Sequence, residues 1–124
     1  MTWRGLVVVA TVTIGVLALS TSTSMAQAKA DPKAGEGVYK GQCAKCHGDS
    51  GAGDGAQGQK LKDKPSSWTT ADGGGLKGMT DQQITDAIVK GGPAVGKSRA
   101  MPSYSKLSEA EVANVVAYIK TLKK

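Results

Sequence analysis

The run Cys43-Ala44-Lys45-Cys46-His47 holds both cysteines and the one histidine of this chain. Thiols and an imidazole at i, i+3 and i+4 share one face of a helix, which Gly48 would end, so one flat ligand could meet all three side chains. C-x-x-C-H reads as a haem-attachment pattern. In that chemistry the thiols of Cys43 and Cys46 add across the porphyrin vinyl groups as thioethers, and His47 offers a ring nitrogen to the iron.

Three other chemistries use the same residue types. Structural zinc normally takes four Cys or His ligands, and the whole chain offers Cys43, Cys46 and His47 alone. A thioredoxin-like dithiol needs a βαβ context that this sequence lacks. A plain disulfide between cysteines three apart in a helix is geometrically awkward, and it leaves a small core unexplained.

With one histidine, His-His coordination within one chain is excluded, so a sixth ligand must be Met, Lys, water or nothing. Thioether sulfur is the usual partner. Met1 and Met25 fall in a leader segment described below, which leaves Met79 and Met101. Met79 precedes Thr80 at the position of a hydrophobic staple onto Ile84, whereas Pro102 pushes Met101 into extended backbone. An extended loop can bring a thioether across the far face of a haem, so the expected axial pair is His47 and Met101.

These residues must be positioned by helices, because no segment shows the alternating β-branched pattern of a strand. The domain reads as all-α. One helix is expected from about Lys33 into CAKCH, a second from about Asp81 to Lys90 and a third from about Glu109 to Leu122. Ser108 with Glu111, and Thr80 with Gln83, have capping-box spacing. Val112, Val115, Val116 and Ile119 recur at helical spacing, and Gly91-Gly92 supply a stop. Residues 48–78 form a Gly-, Asp- and Lys-rich connection with a short helical turn near Gln59 to Leu61. Long loops in compact domains usually wrap something. Beyond the leader the only aromatics are Tyr39, Trp68, Tyr104 and Tyr118, so something besides the protein must supply apolar volume.

At the start, Arg4, the apolar run Gly5 to Leu19 and a Ser/Thr segment ending in small residues have the layout of a secretory signal peptide. Cleavage is expected after Ala26 or Ala28, giving a leader over 1–26 and one domain over 27–124 in a periplasmic or otherwise exported compartment. As a helix the run would rise about 22 Å against a hydrocarbon core of about 30 Å, so membrane association is expected only if the leader is retained. The formal charge is +6. The lysines are scattered, which favours a solvated surface that steers acidic partners over nucleic-acid binding. Gly91 to Ser98 (GGPAVGKS) fits the P-loop pattern literally. Its glycines follow a helix, Pro93 removes a cradling amide and Met101-Pro102 follows, so no nucleotide is expected.

With CAKCH, a downstream Met101-Pro102 and a capped C-terminal helix in that order, the chain resembles the small soluble class I cytochromes c from about Ala34 to Leu122. The resemblance implies several helices wrapped around one haem c with an exposed edge. It implies an electron carrier, not an enzyme, exchanging single electrons with donor and acceptor proteins. It also places Gly35 and Tyr39 of the first helix against Val115 and Tyr118 of the last, and offers Trp68 as a hydrogen-bond donor to a haem propionate, as in some relatives. Rival roles are a haem subunit of a larger oxidoreductase complex and a five-coordinate haem that binds gas or peroxide. The family commonly has a proline soon after CxxCH whose carbonyl accepts the axial His N–H. In this sequence the next proline is Pro65, so that second-shell partner has no obvious counterpart.

Overall fold

A computed structural model describes residues 29–123. The expected leader and both cleavage points lie outside the described residues. Helix α1 spans Pro32–Gln42, α2 Ala44–His47, α3 Asp81–Lys90 and α4 Glu109–Leu122. Short 3₁₀ turns occur at Gly58–Lys60, Gly74–Leu76 and Gly92–Val95. Among the described residues there is no strand, and no helix is long and apolar enough to cross a membrane. The all-α expectation holds.

Each long helix starts where its sequence can satisfy the orphan amides of the first turn. Asp31 caps α1 by accepting from Lys33 N–H at 2.9 Å, and Pro32 follows in the first turn, where a missing N–H costs nothing. Thr80 and Gln83 close a reciprocal box on α3, with amide bonds of 3.2 and 2.9 Å. Ser108 and Glu111 do the same for α4, at 3.3 and 2.8 Å. Both boxes match the sequence pattern.

Helices α1 and α4 cross in close contact, and the crossing is why Gly35 is glycine. A methyl group there would run into the Asn114 carbonyl oxygen. Asn114 also accepts the Asp31 N–H through Oδ1 at 2.7 Å, which ties the start of α1 to α4. Tyr39 and Val115 are both 0% exposed, and the Tyr39 and Tyr118 rings sit 5.2 Å apart at a tilt of 55°. The pairing of Gly35 and Tyr39 with Val115 and Tyr118 is therefore present.

One expectation needs correcting. The first helix does not run unbroken into CAKCH, because Cys43 has φ −106° and ψ −39° and separates α1 from the single turn of α2. The helical hydrogen bonds nevertheless bridge the break, from Cys43 N–H to Tyr39 C=O at 2.8 Å and from His47 N–H to Cys43 C=O at 2.9 Å. The three side chains therefore still approach one space. The short turn expected at 59–61 appears one residue earlier.

Candidate functional site

The connection after α2 folds back on CAKCH and grips its backbone. Gln57 N–H donates to Lys45 C=O at 2.9 Å and Gly53 N–H to His47 C=O at 2.8 Å. Gly58 packs so closely that a methyl group would overlap the Cys46 carbonyl oxygen. The buried Tyr39 hydroxyl donates to Gly48 C=O at 2.7 Å, and the Tyr104 hydroxyl donates to Gln42 C=O at 3.1 Å. The motif is thus held at both ends by tyrosines and along its length by loop amides.

Cys43, Cys46, His47, Trp68, Met79 and Met101 all line one cleft, which encloses about 1080 Å³ with the space open to solvent at its mouth included. Leu61, Leu76, Ile84 and Ile88 complete much of its apolar wall. None of the four was read from the sequence as lining the site, although Leu61 and Leu76 are the only leucines of a Gly/Lys/Asp-rich connection and Ile84 and Ile88 are an i, i+4 pair on α3. The contribution of Tyr104 had no sequence signal.

Both cysteines are free thiols. Burial pushes the Cys43 thiol up to about 11, the opposite of the lowered pKa that makes a reactive dithiol. Burial likewise pushes His47 down to about 4, keeping the imidazole in the neutral form that ligates metals. Its Nδ1 is buried with no hydrogen-bond partner. Pro65 reaches the cleft, but its carbonyl lies against Gly53 and leaves Nδ1 unpaired. Instead, the ring stacks on Trp68, with centroids 4.4 Å apart and planes 27° apart. Offset aromatic stacks contribute about 0.5–1.5 kcal/mol beyond the area they bury.

The Met101 loop is stitched to α3 and its end. Gly92 N–H donates to Met101 C=O at 3.1 Å, Tyr104 N–H to Ile88 C=O at 2.8 Å and Met101 N–H to Ser98 C=O at 3.3 Å. Met79 also lines the cleft while packing against the core that holds Ile84. The staple therefore does not remove Met79 from the site, as the sequence had implied. The P-loop-like stretch spends its amides internally: Ala94 donates to Gly91, Gly96 to Pro93 and Lys97 to Gly92. Those amides are not free to cradle a phosphate.

These residues fit a covalently held haem. Two free thiols, a neutral imidazole and the thioether of Met101 line one largely apolar cleft, the donor set that a covalent, iron-centred macrocycle requires. The family model described as cytochrome c oxidase, cbb3-type, subunit III matches residues 30–119. A chain of the Kuenenia stuttgartiensis reducing HAO-like protein complex is similar in structure, with a TM-score of 0.61 and 30% identity. The match covers 77% of this chain and 44% of that one, so this chain spans less than half the length of that relative. No curated protein matches the chain.

Proposed function

The chain belongs to the family of cbb3-type cytochrome c oxidase subunit III and is a c-type cytochrome, a haem electron carrier, and from that premise we propose that it shuttles single electrons through one haem in an exported compartment. Cys43 and Cys46 would hold the haem covalently, with His47 and Met101 as axial ligands. The haem, when bound, supplies a one-electron iron couple. The observation that carries this reading is the convergence of the two thiols, the neutral imidazole and the Met101 thioether on one apolar cleft.

The protein's own part is to keep that site fixed and dry. Burial keeps His47 unprotonated, so it presents a lone pair across the physiological pH range. The thioether of Met101 carries no proton, and as a ligand it favours the ferrous state. Backbone bonds from Gly92 to Met101 and from Tyr104 to Ile88 hold its loop in place. Lys64 and Lys97 also line the cleft, and together with the excess of Lys and Arg over Asp and Glu beyond the leader they support weak, fast docking to acidic patches on donor and acceptor proteins. Such docking slows as salt rises.

Intact-mass measurement and optical spectra of the exported protein test this reading. The expected results are cleavage after Ala26 or Ala28, one covalent haem adduct and a low-spin, sulfur-ligated spectrum. Met101→Ala should abolish the sulfur signature and keep the haem. Loss of that signature in Met79→Ala instead would reassign the ligand. High-spin iron with ready carbon monoxide binding in the wild type would point to a gas- or peroxide-binding site, and constant co-purification with a catalytic chain to a complex subunit.

A further inference from the structure

A metal-bound histidine is usually oriented by a hydrogen bond from its other ring nitrogen, and that partner also raises the basicity of the ligand. His47 has a buried Nδ1 with no such partner. What touches the ring is the face of Trp68, 4.4 Å away between centroids and 27° from parallel.

Trp68 is itself held on every side. Its backbone N–H donates to Gly51 C=O at 2.8 Å. A methyl group on Gly51 would lie 2.8 Å from its Cε3, and one on Gly75 would lie 3.3 Å from Cδ1 and Nε1. Tyr39 closes a further edge, with centroids 6.2 Å apart and a tilt of 60°. The residue is 8% exposed. The indole cannot turn without moving the backbone of two loop segments, so its plane is a fixed surface for the imidazole.

We propose that Trp68 is a positioning residue that sets the ring plane of His47 by stacking, in place of the hydrogen bond that ordinarily orients an axial histidine. The role belongs to the face of the indole, not to its N–H, and it rests on His47 being the axial ligand. The buried ring nitrogen with no protein acceptor leaves His47 a weaker donor to iron than a hydrogen-bonded imidazole, which favours the ferrous state. Removing the stack both frees the ring to rotate and lets water reach the nitrogen.

Ferric electron paramagnetic resonance and redox titration of haem-loaded variants test this. Trp68→Phe keeps a flat face and lacks the indole N–H, and should keep the wild-type g-values and potential. Trp68→Met fills space without a flat face, and should move the low-spin g-values and lower the potential. Gly75→Ala presses on the indole edge and should move the g-values part of the way. The proposal is overturned if Trp68→Met leaves the g-values unchanged, or if Trp68→Phe moves them as far as Trp68→Met does. Should Trp68→Met fail to hold haem, unchanged g-values in Gly75→Ala overturn it. A failure of His47 ligation is distinct, because the wild-type protein itself would then lack a low-spin, nitrogen-ligated spectrum.

Discussion

The crossing of α1 with α4 and the half of the molecule that walls the cleft are built on different terms. At the crossing, side chains meet side chains and backbone meets backbone: Tyr39 and Val115 are fully buried, Gly35 lies on the Asn114 carbonyl and Asp31 bonds to Asn114. Around the cleft, residues 48–78 and 91–107 are held mainly by backbone hydrogen bonds to CAKCH, to α3 and to each other. Leu61, Leu76, Ile84, Met79 and Met101 there turn toward the cleft. One region is closed by its own side chains. The other leaves an open apolar cleft beside the core, which the haem would fill, because glycine-rich loops bury too little surface to offset their ordering entropy.

The largest effect should therefore come from removing the haem and should be lopsided. In Cys43→Ala with Cys46→Ala, which removes covalent attachment, stability should fall by about 3–4 kcal/mol, the scale on which a group bound only to the folded chain stabilises it. Amide exchange should become fast first in residues 48–78 and in the Met101 loop, while α1 and α4 keep relatively more protection. Equal loss of protection in both regions would break the comparison.

The next effect tests the crossing. Gly35→Ala should destabilise by about 1–3 kcal/mol through overpacking against Asn114. A methyl group on Gly37 or Gly41 of the same helix meets nothing within 4 Å. Alanine at either position should stabilise by about 0.5–1 kcal/mol from helix propensity alone. Thermal melts of the three variants read the opposite signs directly.

The crossing was also the more legible region. Capping boxes and apolar spacing on α4 are local signals, and the elements formed where those signals lie, while the pairing of Gly35 and Tyr39 with α4 was what the family resemblance implied. CAKCH was legible for the same reason, since its three side chains sit within five residues. The break at Cys43 was not, because the amides that grip the motif come from outside the helix, at Gly53 and Gln57. Neither was the contact of Trp68 with His47, which depends on how a glycine-rich connection folds back. Met79 shows the limit of assigning one job per residue: its place before Thr80 suited a staple, and the same position faces the cleft.

Tyr39 joins the two regions, since its ring packs in the crossing and its hydroxyl holds Gly48 C=O beside the motif. Tyr39→Phe keeps the ring and should cost about 0.5–1.5 kcal/mol, the net contribution of one buried hydrogen bond. The crossing should be unaffected, with faster exchange confined to the loop amides that contact CAKCH. Equal loosening of α1 against α4 would mean that the hydroxyl serves the crossing as well.

The smallest effect separates the two regions by acid. The box on α3 uses the neutral Gln83, whereas the box on α4 uses the carboxylate of Glu111. The Ser108 backbone N–H, and then its hydroxyl, hold the Glu111 carboxyl below its ordinary value of 4.5. A carboxyl depressed in the folded state contributes stability that is fully present above its ordinary value and is lost as pH falls through the lowered one. Acidification below about 4.5 should therefore speed exchange of the first amides of α4 and leave those of α3 unchanged. Glu111→Gln should abolish that difference, because an amide keeps the box closed without a proton to gain. Fraying of α3 over the same pH range would show that acid acts through the fold as a whole and not through the cap.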